Sequence, residues 1–131
     1  MNSWIIPCNL KYFNVVNYLK NHSSLVWRKT PRIKKGDIVY IYVGIPVKAI
    51  KYRCMVVDED VKKDVLDQNA YAKVGDIEHN RKYMQLRVIN EYADEINLSK
   101  IQELGMFMIR RQIKADGKVK RYLDVINQNY N

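Results

Sequence analysis

The side chains able to do covalent or acid–base chemistry are few and scattered. Two histidines, His22 and His79, fall in polar stretches with no acid partner in a recognisable spacing, and read as surface residues. Cys8 follows a short apolar run, with no histidine placed to activate it. Cys54 sits in the middle of an apolar segment; both cysteines read as buried, reduced thiols. Asp58-Glu59-Asp60 is an acidic cluster, but three consecutive carboxylates do not converge on one cation, so it reads as a solvated loop. The sequence has no GxGxxG, GxxxxGK[ST], HExxH or GxSxG pattern. Neither a cofactor nor a metal site is expected. The aromatic residues are more telling. Ten tyrosines and two tryptophans stand against two phenylalanines, and Tyr and Trp couple a π-face to a polar handle. Trp27 is flanked by Arg28 and Lys29 ahead of Thr30-Pro31, a setting suited to stacking on an unpaired base.

The elements that must position these residues can be read from periodicity. Ser3–Pro7 has strand character. Asn9 reads as the N-cap of a helix carrying Leu10, Phe13, Val16 and Leu19 on one face, ending near residues 21–24. Leu25–Lys29 is a short segment, and Lys34-Lys35-Gly36-Asp37 is a turn. Ile38–Val43 is six β-branched or aromatic residues in a row, a strand buried on both faces. Residues 49–57 form the next strand, with Ile50, Tyr52, Cys54 and Val56 expected on one side and a hairpin joining the pair. Residues 58–74 read as a loop with a helical turn, and residues 81–90 as a strand. A short helix over 97–105 carries a Ser99/Gln102 capping box and Gly105 as its stop. A strand over 106–113, a turn at 115–118 and a closing helix bearing Val119, Tyr122, Leu123 and Ile126 complete the chain. This order does not alternate as a doubly wound fold does. It predicts an α+β domain, a small, mostly antiparallel β-barrel with flanking helices, as a single unit over 1–131.

Composition bounds the function. The chain has 131 residues, 23 basic and 14 acidic, for a net charge of +9. Residues 1–36 carry seven basic residues and no acid, residues 37–104 balance at −2, and residues 105–131 at +4. If the two ends meet, one face is cationic and attracts polyanions, of which nucleic acid is the commonest. No apolar run reaches the roughly 20 residues of a membrane helix, and the first residues lack the basic start of a signal peptide. A cytoplasmic, monomeric protein is expected.

The ordered set Trp4-Ile-Ile-Pro-Cys-Asn9, Val26-Trp27-Arg28, Gly36-Asp37-Ile-Val-Tyr-Ile-Tyr42 and Ile50-Lys-Tyr-Arg-Cys-Met-Val56 resembles an EVE domain, of the PUA-like superfamily that also holds YTH and ASCH domains. The resemblance is most specific over residues 4–57. It implies a PUA-like barrel of five or six strands. It also implies a pocket between the first strand, the following helix and the Gly-Asp strand, which holds a modified (for example methylated) or flipped-out base of DNA or RNA. On this resemblance Trp27 is a cage wall, Cys8 and Asn9 read the base edge, and Tyr42 (or Tyr40 or Tyr52) supplies the opposite wall, with Arg28 beside it. Lys11, Lys29, Lys34, Lys35, Arg110 and Arg111 hold the phosphate backbone. The protein partners implied are those of a restriction or RNA-processing system. Two other readings remain open: a small nucleic-acid hydrolase or deaminase on an ASCH-like barrel, and an accessory module that works by protein–protein contact.

Overall fold

The computed structural model describes residues 1–61, 82–106 and 108–130. Among these residues there are six strands: β1 (Ser3–Cys8), β2 (Ser24–Arg28), β3 (Ile38–Val43), β4 (Ala49–Val61), β5 (Tyr83–Glu91) and β6 (Ile113–Lys114). Three α-helices accompany them among the described residues, α1 (Val15–Tyr18), α2 (Leu98–Glu103) and α3 (Gly117–Asn127), with a 3-10 turn over Gln128–Tyr130 after the last. The strands form one sheet in the order β2-β5-β4-β3-β1-β6. β1 runs parallel to β3, and the other four pairings are antiparallel. The α+β class and the mostly antiparallel sheet are as expected, although the sheet is open, with β2 and β6 at its edges. No helix among the described residues is long and apolar enough to cross a membrane.

β3 lies between β1 and β4 and explains its own composition. Val39, Ile41 and Val43 face one core, with Trp4, Ile6 and Cys8 of β1, Tyr18 of α1 and Leu25 of β2. Tyr40 and Tyr42 face a second core, with Ile5, Ile101 of α2, and Val119 and Leu123 of α3. A strand covered on both faces has no polar side to keep, hence the unbroken apolar run. The hairpin from β3 to β4 forms, but its pairing steps from Ile41↔Tyr52 to Tyr42↔Ile50. One extra residue, Lys51, inverts the side-chain alternation. Ile50 therefore joins the second core rather than sharing a face with Tyr52, Cys54 and Val56.

Three local expectations are corrected. The first helix spans only Val15–Tyr18, capped by Asn14, whose side chain accepts from Asn17 N at 3.1 Å. Asn9 instead closes a turn: its Oδ1 accepts from Lys11 N at 2.9 Å, and its carbonyl accepts from Tyr12 N and Phe13 N. Asparagine side chains compete with the helix for backbone donors in this way, and two of them five residues apart shorten it from the front. Leu10, Phe13, Val16 and Leu19 still pack on the first core, so their burial survives the loss of helix. In α2 the cap is Asn97, accepting from Lys100 N at 3.0 Å, not Ser99; Gly105, at φ +94°, ends the helix as expected. The strand expected over 106–113 shrinks to β6, because β1 offers it only Trp4 and Ile5 as partners. The loop reading for residues 58–74 meets the end of β4 over Asp58–Val61, and the rest, with His79, lies outside the described residues.

A buried carboxylate fixes the start of the parallel pair. Asp37 is 4 % exposed and accepts from Asn2 N (3.0 Å), Lys34 N (3.0 Å) and the Trp4 indole Nε1 (2.9 Å). Burial alone would raise its pKa, but the main-chain donors of Asn2 and Lys34 and the Trp4 indole outweigh burial and hold it below the ordinary value. Gly36 precedes it at φ +91°, a conformation open to glycine at little cost, and donates to Val56 O at 2.8 Å. The Gly-Asp pair is thus a clamp that sets β1 beside β3 and fixes what meets at their far ends.

Candidate functional site

Where β1 and β3 end together, a cavity of about 370 Å³ opens, lined by Pro7, Cys8, Asn9, Tyr42, Gly44, Ile45, Ile109 and Arg110. That volume lies at the lower end of the range for small-molecule pockets. The parallel register sets Pro7 beside Tyr42 and Cys8 beside Val43, and Gly44 N donates to Cys8 O at 3.0 Å. Tyr42 and Ile109 belong to the second core, so the cavity lies on the α2/α3 side of the sheet. Tyr42 is 8 % exposed, and burial raises its phenol pKa, so it is neutral at pH 7. Burial pushes the Cys8 thiol up to about 12, and its Sγ donates to Phe13 O at 3.4 Å. A thiol so held is no nucleophile at neutral pH. Asn9 and Arg110 stand exposed at the rim.

The cavity brings together four residues singled out from the sequence: Cys8, Asn9, Tyr42 and Arg110. It does not include Trp27 or Arg28. Trp27 lies in β2, half-buried, and packs on the first core with its ring edge-on to Phe13 at 6.1 Å between centroids. Tyr42 faces the second core, so the sheet separates the two rings and they cannot be opposite walls of one cage. The alternation of β3 decides this: Tyr42 shares a face with Tyr40, while Ile41 and Val43 share the face that Trp27 covers. Of the other candidate walls, Tyr40 is closed off by α3, its hydroxyl accepting from Asn127 Nδ2 at 2.9 Å. Tyr52 is buried in the first core.

The basic residues likewise divide. Lys11, Arg110 and Arg111 are exposed on segments that border the cavity. Arg28, Lys29 and Lys34 line a second cleft of about 590 Å³ with Pro31, Lys82, Glu59 and Asp60, beyond the opposite end of β3. Lys35 adjoins it, exposed. The length of β3 separates the two openings by roughly 17 Å. Lys29 is not a free surface cation: its side chain is 9 % exposed, donates to Thr30 O at 2.7 Å and lies 3.8 Å from Glu59. Glu59 is therefore engaged, and Asp58 accepts from Asp60 N. The described residues contain no group of three His, Cys, Asp or Glu that could hold a metal ion.

No protein-family model matches the chain, and no curated protein sequence does. Solved structures do. An ASCH protein from Zymomonas mobilis is 14 % identical over 95 % of both chains, with a TM-score of 0.57. A point mutant of the same protein aligns at 15 % identity over 95 % of this chain and 96 % of the other, at 0.61. The NMR structure of Rpa0253 from Rhodopseudomonas palustris covers all of this chain and 96 % of its own, at 8 % identity and 0.64. The fold is PUA-like. Sequence reasoning missed Asp37 as an anchor and Gly44, Ile45 and Ile109 as cavity walls. The signal for Asp37 was a lone acid between Lys34-Lys35-Gly36 and a wholly apolar strand.

Proposed function

We propose that the protein is a non-enzymatic nucleic-acid-binding module that holds a flipped-out or modified base in the cavity at the ends of β1 and β3. One observation carries the reading. A cavity of this size is lined by the buried Tyr42 and Ile109 together with Pro7, and the same lining includes three exposed residues, Asn9, Ile45 and Arg110. Stacking on an aromatic ring returns roughly 1–3 kcal/mol per base, comparable with the few kcal/mol that flipping costs. Lys11, Arg110 and Arg111 would hold the phosphates around it, and Lys34 and Lys35 a more distant stretch of backbone. The EVE resemblance of residues 4–57 and the PUA-like fold both support this reading, with Trp27 removed from the cage.

The enzymatic alternative lacks its chemistry among the described residues. The cavity wall contains no carboxylate and no imidazole, and the one thiol is protonated. Turnover of an oligonucleotide or nucleoside by the purified protein would restore it.

The test is binding of fluorescent single-stranded oligonucleotides with and without modified bases. Tyr42→Leu, which keeps an apolar side chain and removes the ring, is expected to weaken base-dependent binding about tenfold while leaving weak, salt-sensitive binding. Trp27→Leu is expected to leave base preference unchanged. A Tyr42→Leu protein with undiminished preference, or a Trp27→Leu protein that loses it, overturns the assignment.

A further inference from the structure

The two openings at the ends of β3 are joined along the β1/β6 edge of the sheet, where two segments lie side by side. Residues 110–114 start at the cavity with Arg110 and end with Lys114, opposite Trp4 of β1. Residues 30–34 end with Lys34, in the lining of the larger cleft. Two contacts hold the segments in step. Thr30 Oγ1 donates to Gln112 Oε1. Further along, the Arg32 guanidinium lies over the Trp4 ring, 5.0 Å from its centroid. Lys114 shares that face of the sheet, because residues opposed in an antiparallel pair point the same way. The buried Trp4 thus has one exposed cation above its ring and another beside it.

The cations of these segments, Arg32, Lys34, Arg110, Arg111 and Lys114, are all exposed, and none makes an ion pair among the described residues. Asp37 is buried behind them, its oxygens taken by the Trp4 indole and two main-chain donors. Asp116, exposed, follows Lys114 and bounds the strip at one end. Glu59 and Asp60 share the lining of the cleft at the other. The uncompensated charge therefore lies along the edge rather than inside the cleft. From Arg110 to Lys114 the chain covers about 13 Å if extended. That is the length of about four nucleotides at the roughly 3.4 Å rise of a stacked strand. A strip of cations that begins in the lining of an aromatic cavity fits a polymer carrying both a ring and a regular line of anionic charge.

We propose that the β1/β6 edge is a phosphate track: a single nucleic-acid strand with one base in the cavity leaves it at Arg110 and runs past Arg111, Lys114 and Arg32 to Lys34. The track rests on the base-binding reading above and extends it from one base to a strand of defined course. Salt screens cations more than about 8–10 Å apart from one another, so each phosphate engaged adds its own increment of affinity and of salt dependence.

The experiment measures, over a range of salt, the binding of strands that carry one base and a tail of about two or about eight abasic sugar–phosphate units. The tail is placed 3′ of the base in one series and 5′ in the other, and the longer tail is expected to bind more tightly in at least one of them. In that series Arg32→Gln with Lys114→Gln should weaken the long strand about fivefold or more at about 0.1 M salt, and lower its slope of log affinity against log salt by about 1.4. The short strand, which ends before Lys114, should be nearly unaffected. Arg32→Lys with Lys114→Arg keeps both charges and should keep the wild-type slope, which separates charge from any role of Arg32 in packing on Trp4. Lys20→Gln with Arg87→Gln removes two exposed cations near β2, Arg87 being opposite Ser24, and should change neither strand's binding. No gain from a longer tail in either series, equal losses on long and short strands, or an equal loss from the Lys20 and Arg87 pair overturns the track and leaves base binding standing. Poly-glutamate competing as well as the long strand overturns its assignment to nucleic acid. A fully abasic strand that binds as tightly as the base-carrying one, and still loses affinity in the Arg32 and Lys114 variant, supports the track and overturns the base-binding reading instead.

Discussion

Asp37→Asn tests whether the Gly-Asp clamp holds the parallel pair together. The carboxylate Oδ2 accepts from Trp4 Nε1 and Lys34 N, and Oδ1 from Asn2 N. With the amide oxygen kept at the Oδ2 position, two of these bonds pass from a charged to a neutral acceptor, at about 1 kcal/mol each, and the Asn2 N–H is left facing an NH₂. The loss is about 3 kcal/mol, a large share of the roughly 5–15 kcal/mol that holds a domain folded. At a urea m-value of about 2 kcal/mol/M, the unfolding midpoint should fall by about 1.5 M with an unchanged slope. The pH dependence supplies a second readout. The pKa of Asp37 is lower in the folded chain than in the unfolded one, so its stabilisation is complete above the ordinary aspartate value near 3.8 and disappears as pH falls through the lowered folded value. The gap between wild type and Asp37→Asn should therefore be widest above pH 5 and close steadily below pH 4. A midpoint shift equivalent to less than about 0.5 kcal/mol, or a gap that persists unchanged into strong acid, would refute the clamp.

Two further outcomes follow from the same structure. Asn127, 6 % exposed, joins Tyr92, whose hydroxyl donates to it, and Tyr40, whose hydroxyl accepts from it. Asn127→Leu strands both hydroxyls and should cost about 2–4 kcal/mol, read from the urea midpoint; a neutral result would mean that water satisfies them. Replacing Arg110 and Arg111 together by glutamine should reduce the slope of log affinity against log salt on single strands by about 1.4, and an unchanged slope would remove both from the phosphate contacts.

The parts of the fold legible in the sequence are those decided by local periodicity with burial on known sides. β3 matches its expected bounds because six apolar residues with burial on both faces admit no other element. α3 and the Gly105 stop are legible because 3.6-residue spacing and a positive-φ glycine are local signals. α1 is not, since Asn9 and Asn14 each have two uses for their side chains and only the packed chain chooses between them. β6 is not, since a strand needs a partner and β1 pairs with it over only two residues. For the candidate site, the chemistry of Asn9, Tyr42 and Arg110 could be listed from sequence, but their meeting at one cavity depends on the parallel pairing of β1 with β3, a contact across more than 30 residues. Trp27 was attractive because of its basic neighbours, and charge along the chain carries no information about which face of a sheet a ring covers.

The same alternation explains why the charge and the cavity need separate accounts. The acid-free first 36 residues do not gather on one face: β1 and the turn after it carry Lys11 to the cavity end, whereas Arg28, Lys34 and Lys35 return to the start of β3. Over roughly 17 Å, about twice the Debye length at physiological salt, each group acts nearly alone on a bound chain. Substituting Lys34 and Lys35 should therefore weaken long strands more than short ones and leave base preference untouched, because the proposed base-binding cavity lies at the other end of β3. A polyanion would be drawn to both ends of β3, but of the two clefts it is the one where Pro7 meets Tyr42 that has an aromatic ring in its lining, a surface on which a base would stack and a sugar or phosphate would not.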